Sequence, residues 1–312
     1  MTIVQKTLIK KKNIKKRKKE NLLNDYSGSE WAQASKSVFK FDGTIAKKRK
    51  KHGAAFPFSL AKHVIETYSK EGDLVFDPFL GVGTTTDACM LLNRRGIGID
   101  INQEFIRLAE MGPDPIDGVV TGEKPKITII CDDVLNTRKH VKRNSIDLIL
   151  TSPPYGNLLR IIRPKFADKM SFKERMNGSK LVRKDIKNPQ AYSDLEEDLG
   201  NMDYKTYLKK IDRVFKITYD VAKNGTYAVW VIKDYRDLQN RAPYVNLHGD
   251  IIKLATKNKW LLWDIIIWNQ TERRPLVVLG YPSRNFYANI GHSFLLVFKK
   301  NSKIKTNNLK SK

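Results

Sequence analysis

Three scarcities bound what this chain can be. It has two cysteines, Cys89 and Cys131, far apart and without metal-type spacing. Neither a disulfide framework nor a thiolate metal cage is expected, and such usage fits a reducing compartment. No apolar run approaches the ~18 residues of a membrane span. The basic N-terminus is not followed by an apolar stretch long enough for a secretory signal, so a cytoplasmic protein is the expectation. Acids are the third scarcity: 33 Asp and Glu stand against 58 Lys and Arg, a net charge of +25.

Part of that excess sits at the ends. Residues 1–20 hold nine Lys and Arg and one acid, and the last fourteen hold six Lys and no acid. Residues 1–28 and 301–312 are therefore expected to be solvated tails. What lies between remains basic, which points to a polyanionic partner, nucleic acid before others.

Between the tails the hydrophobic period alternates. A helix is predicted over 57–69, with Leu60, Val64, Ile65 and Tyr68 at helical spacing. Strands are predicted at 73–79, 96–100, 126–133 and 147–150, separated by helices at 84–95 and 102–112. Further on come a helix at 204–222, stopped by Asn224-Gly225, a strand at 226–232, a helix at 251–258, and strands at 261–269 and 292–300. Such βα alternation predicts an α/β fold with a mostly parallel sheet. The last two strands lack room for a helix between them and are expected to form an antiparallel pair at the sheet's edge. About seven strands result. Residues 157–202, charged and unpatterned, interrupt the domain as an insert or lid. Trp260, Trp263 and Trp268 could line a pocket, but alternation within a strand makes them expected core residues.

Two loops carry chemistry. DPFLGVGTT (77–85) joins a strand to a helix. Gly81 and Gly83 permit a tight turn and close approach of a ligand, and the helix beginning at Thr84 offers free N–H groups to an anion. Thr86 stands where a dinucleotide fingerprint has Gly or Ala, and no Lys makes this a Walker loop. A smaller anion, such as an amino-acid carboxylate, fits better. Asp100 ends the next strand, placed to accept from ribose hydroxyls. Asp132-Asp133 end the one after, placed to accept from an adenine amino group or to cap a helix. The second loop, TSPPY (151–155), is a strand end stiffened by two prolines beside an aromatic ring. Neither cysteine follows a proline, so no Pro-Cys nucleophile loop is present.

The glycine loop followed by TSPPY resembles the amino-methylating DNA methyltransferases, which act on cytosine N4 or adenine N6. HGAAFPFSLAKHVI (52–65), SEWAQASKSVF (29–39), GTYAVWVIKDYR (225–236) and YPSRNFYANIGHSFLLVFKK (281–300) extend the similarity over roughly residues 29–300, taken as one methyltransferase domain. The resemblance implies a Rossmann-like S-adenosylmethionine-dependent methyltransferase fold. It implies that Phe56, Pro57, Asp77, Phe79, Gly81, Gly83 and Thr84 bind the cofactor around its methionine end, Asp100 its ribose and Asp133 its adenine. Ser152 and Pro153 would accept the two amino hydrogens of the target base, Pro154 would stiffen the loop, and Tyr155 would stack on the base. The implied partner is double-stranded DNA, with a cognate restriction endonuclease possible. No metal is implied. Ser152 before Pro-Pro leans toward cytosine N4, with adenine N6 as the alternative; an RNA base methyltransferase and an inactive DNA-binding protein are the remaining readings. Recognition would fall to the 157–202 insert, with Arg160, Arg163, Arg175 and Arg183 as candidate DNA contacts, unless that insert is a purely structural or partner-binding excursion.

Overall fold

The computed structural model describes residues 21–41, 55–120, 122–156, 195–237, 242–273, 276 and 284–301. The four candidate arginines, most of the 157–202 insert, residues 1–20 and residues 302–312 lie outside these. Among the described residues, one eight-stranded sheet organises the chain.

Helix α1 (Gly28–Ala34) opens on a capping box in which Ser27 and Glu30 satisfy each other's backbone. Strand β1 (Val38–Phe39) follows, and then α2 (Phe58–Tyr68). Leu60, Ala61, Val64 and Ile65 form the buried stripe of α2, each fully covered. The parallel half of the sheet is β2 (Leu74–Asp77), β3 (Arg95–Asp100), β4 (Ile127–Cys131), β5 (Ile146–Thr151) and β6 (Ala222–Ile232). Its crossovers include α3 (Thr84–Leu91), α4 (Gln103–Glu110), the short α5 (Thr137–His140) and α6 (Tyr204–Val221). A hairpin of β7 (Tyr235–Asp237) and β8 (Ala242–Val245), unforeseen from the sequence, leads to α7 (Leu247–Lys257), β9 (Leu261–Asn269) and β10 (His292–Lys299).

The sheet order is β1-β9-β10-β6-β5-β2-β3-β4. Strand β10 runs antiparallel to both β6 and β9, as expected of the last pair. The two-residue β1 adds itself parallel to β9 outside that pair, through Val38 and Phe39. The fold is thus the expected Rossmann-like methyltransferase type.

Each sheet face carries its own core because side chains alternate along a strand. Phe76, Ile149 and Trp230 face α6 and α7, where Phe215 stacks on Trp230 with centroids 4.2 Å apart. Val75, Leu148 and Val229 face α2 and α3. Burying each such side chain stabilises the fold by about 1.5–3 kcal/mol.

Two expectations need correction. Asn224-Gly225 does not separate helix from strand: α6 ends at Val221 and β6 begins at Ala222. Gly225 takes φ +94° and donates to the Lys300 carbonyl at 2.7 Å, and the register against β5 slips between Ile146 and Leu148, so the pair makes a bulge within the strand. Trp260 is buried and Trp268 packs partly against the core, but Trp263 is 49% exposed, its ring capped by Lys299 at 4.2 Å. Strand β9 leaves Leu262 to Asp264 open to solvent, so alternation does not bury that tryptophan.

Candidate active site

The strand order reverses between β2 and β5: β3 and β4 lie to one side, β6 to the other. Open α/β sheets bind ligands at the carboxyl ends of the strands flanking such a reversal. A cavity lies there. Pro78 and Phe79 wall it after β2, and Asp100 to Asn102 after β3. Asp132 to Val134 wall it after β4, and Ser152 to Tyr155 after β5. Four sequence-distant loops meet because four parallel strands end together.

Asp100 is held by its backbone neighbours. Its carboxylate accepts from Gly81 N at 2.7 Å and from Asn102 N at 2.9 Å. Burial nonetheless pushes its pKa up to about 6, and Asp198 adds a like charge. Asp133 caps the 3-10 turn Val134–Asn136, accepting from Leu135 N at 2.8 Å. Asp132 accepts from Asn136 at 2.7 Å and bonds His140 at 2.7 Å; those bonds hold its carboxyl below the usual range. Asp133 thus caps a turn while both residues of the pair line the cavity. Phe79 is fixed by an edge-on contact with Trp230, centroids 6.3 Å apart.

Gly81, Gly83 and Thr84 do not line this cavity; their loop joins it through the Gly81 N–H bond to Asp100. Gly83 has φ +86°, and a Cβ there would sit 2.8 Å from that of Ala109, so glycine is needed both for the turn and for α4 to pack against it. Helix α3 starts at Thr84, and its first N–H groups have no intrahelical acceptor. The Thr84 hydroxyl is buried without a partner among the described residues. A buried orphan hydroxyl beside open helix N–H groups fits an anionic ligand group such as a carboxylate.

Asp77 stands elsewhere than on the cavity wall. Fully buried, it accepts from Thr85 Oγ1 at 2.6 Å, Thr151 Oγ1 at 2.7 Å and Phe79 N at 3.0 Å. It therefore ties the start of α3 to the residue before Ser152, joining the two chemical loops. Burial pushes its pKa up to about 6. Phe56 and Pro57 are also absent from the wall: Phe56 belongs to the core on the α2 face, and Pro57 precedes the first turn of α2.

In the TSPPY loop, the Ser152 hydroxyl and the Tyr155 hydroxyl both donate to the Val231 carbonyl of β6, each at 3.2 Å. The two hydroxyls also lie 3.3 Å from each other, so Val231 and Tyr155 together fix where Ser152 Oγ stands on the cavity wall. Pro153 is buried, which fixes the backbone between them. Sequence reasoning missed one wall. Glu197, Asp198 and Leu199, where the chain returns from the insert, also line the cavity. Asp198 carries the local signal of a cap, accepting from Gly200 N at 2.7 Å, but nothing in the sequence tells where that turn lands. Cys89 is buried within α3, where desolvation raises its thiol far above the ordinary range. No described helix is long and apolar enough to cross a membrane.

Comparison with known proteins places the chain in a family. The family model described as DNA methylase, of the N6/N4 type, matches residues 2–111 and 146–312. The type II methyltransferase M.HpaI of Haemophilus parainfluenzae is 50% identical over 64 residues, 20% of each chain. M.BglI of Bacillus subtilis is 30% identical over 128 residues, 41% of this chain and 36% of its own. The chain therefore spans about a fifth to a third of these relatives' length. A solved S-adenosylmethionine-dependent methyltransferase from Methanosarcina mazei, 15% identical, aligns over 76% of this chain and 97% of its own with a TM-score of 0.44. The family model covers most of the chain and both chemical loops, and on that ground the chain belongs to the N6/N4 DNA methylases, a family whose methyl donor is S-adenosylmethionine.

Proposed function

We propose that this chain transfers a methyl group from S-adenosylmethionine to the exocyclic amino nitrogen of a base in double-stranded DNA. We propose further that the base is cytosine, methylated at N4, in the modification half of a restriction-modification system. The observation that carries the reading is the position of Ser152 Oγ on the cavity wall, fixed by the Val231 carbonyl and the Tyr155 hydroxyl.

An exocyclic amino nitrogen is a poor nucleophile because its lone pair is delocalised into the ring. Two acceptors facing its hydrogens, Ser152 Oγ and the Pro153 carbonyl, draw it toward pyramidal geometry and free that lone pair. The prolines and the Val231 anchor hold the acceptors in place beforehand, so little reorganisation remains during the reaction. Tyr155 stacks on the base, which has to leave the duplex to reach the cavity. The cofactor supplies an electrophilic methyl group on a sulfonium. On this reading Asp100 accepts from its ribose, Asp133 from its adenine, and the Thr84 hydroxyl with the α3 N–H groups receives its carboxylate. Asp77, Phe56 and Pro57 act by shaping the loops rather than by touching the cofactor.

Residues 29–300 form the catalytic unit in this reading, and the 157–202 insert reads the DNA sequence. The return of that insert along the cavity through Glu197 to Leu199 supports the placement. Alanine at Arg160, Arg163, Arg175 and Arg183 should change DNA affinity or sequence preference. The choice of cytosine rests on the residue before Pro-Pro, a neutral Ser rather than an acid. Plasmid DNA incubated with the protein and methyl-labelled cofactor, then hydrolysed to nucleosides, tests the whole. N4-methylcytosine is expected. N6-methyladenine would overturn the base assignment alone, and unlabelled DNA would overturn the reading.

A further inference from the structure

Flipping a base leaves a hole in the stack, and a side chain that fills it keeps the base from returning. We propose that Phe286 is that side chain, entering the duplex as the target base leaves it; the proposal rests on the DNA methyltransferase reading above.

Phe286 is 91% exposed, more than any other large apolar residue described. A phenyl ring so fully in water is at odds with ordinary burial, and it is not needed for the core. Its position gives it a use. The segment 284–291 enters β10 from the same sheet edge at which β2 to β6 end, because β10 runs antiparallel to β6. That is the edge holding the Ser152 loop.

The backbone beside Phe286 is pinned to that edge. The Arg236 guanidinium donates to the Ala288 carbonyl at 2.8 Å and to the Pro243 carbonyl at 2.6 Å. It lies between the rings of Tyr287 and Tyr244, at 5.4 and 5.5 Å. Arg236 lies in β7, five residues after Val231 of β6, whose carbonyl anchors Ser152 and Tyr155. Two consecutive strands, β6 and β7, thus support the base acceptors and the chain that carries Phe286. The arrangement presents an aromatic ring on the same end of the sheet as the catalytic loop, two residues from the Ala288 carbonyl that Arg236 holds. Arg284, also exposed two residues away, supplies a cation suited to a neighbouring phosphate. The 270–291 connection as a whole has three Arg and one acid, a charge that suits DNA. A ring meant for a second copy of this chain would need no such charge.

The test uses the full chain and duplex oligonucleotides carrying the position that wild type methylates on plasmid DNA. One duplex is matched at the target base; the other has a mismatch there, which weakens pairing and lowers the cost of flipping. Phe286→Ala should lower kcat/KM on the matched duplex by about 10–100-fold, the loss of roughly one base-stacking contact. On the mismatched duplex it should stay within about threefold of wild type. Phe286→Trp should restore the matched reaction. Cofactor affinity and Tm should not move, because the ring is 91% exposed. Equal loss on both duplexes, or no loss on the matched one, would overturn the proposal. So would a change in oligomeric state on gel filtration with flipping, read by 2-aminopurine fluorescence at the target, intact. A wild type that methylates no DNA would instead overturn the function on which the proposal rests.

Discussion

Replacing Ser152 by Ala separates a chemical role from a structural one, and its size can be worked from the hydrogen bonds. The Val231 carbonyl accepts from both Ser152 and Tyr155, each at 3.2 Å. Removing the serine hydroxyl therefore leaves that carbonyl satisfied by Tyr155. The stability cost is the net value of one neutral, partly exposed hydrogen bond, about 0.5–1.5 kcal/mol and nearer the lower end, since no buried group is orphaned. The catalytic cost is different in kind. One preorganised acceptor for the reacting amino group is lost, on the scale of about 10²–10³ in kcat, or about 2.7–4 kcal/mol. Single-turnover methyl transfer from labelled cofactor, with calorimetric cofactor binding and urea denaturation beside it, measures all three quantities. The expected pattern is kcat down by that factor, cofactor Kd unchanged and Tm lowered by a few degrees at most. A loss of activity matched by a comparable loss of stability would refute the acceptor role and leave Ser152 as a turn residue. Tyr155→Phe is the companion variant. It keeps the ring but removes the second donor to Val231, so its effect should be smaller than that of Tyr155→Ala yet measurable.

Three further outcomes are expected. Asp100→Ala should weaken cofactor binding by about 1–3 kcal/mol, the loss of charge-assisted bonds to hydroxyls; because the carboxyl titrates near 6 and must be charged to accept both hydroxyls, wild-type affinity should fall as pH drops below 6, by up to about tenfold per unit, and a pH-independent Kd by calorimetry would contradict the ribose assignment. Asp77 is raised from 3.8 to about 6 by burial, so the native state binds more protons than the unfolded one between those values and the group's contribution to stability declines as pH rises through that window, by at most about 3 kcal/mol; Asp77→Asn should flatten that slope in urea titrations while lowering kcat, because both loops hang on this carboxylate. Removal of residues 1–20, with nine basic groups, should leave Tm intact and make the dependence of DNA affinity on salt shallower, and an unchanged salt slope would reduce that segment to a solubility feature.

What the sequence by itself determined is local and periodic. The alternation of apolar runs predicted the parallel strands and their helices to within a few residues, because strands buried on both faces and amphipathic helices leave distinct patterns. Gly81 and Gly83 marked a turn that only glycine tolerates, and Ser-Pro-Pro marked a rigid strand end. The start of β6 was misread because Asn-Gly commonly signals a turn, whereas in the fold a bulge against β5 absorbs it. The β7–β8 hairpin was invisible because its strands are three and four residues long, too short to show a period. What only the tertiary structure decided is which distant groups share a space. Asp77 reads as a ligand residue in the motif, yet its neighbours in the fold, Thr85 and Thr151, take both its oxygens. Glu197 to Leu199 carry no motif and still wall the cavity, because the chain returns from the insert across it. The acceptor that orients Ser152 is a main-chain carbonyl of β6, 79 residues away in sequence. A backbone carbonyl exists at every position and leaves no trace in the side-chain alphabet, so only the packing of β5 beside β6 could select it.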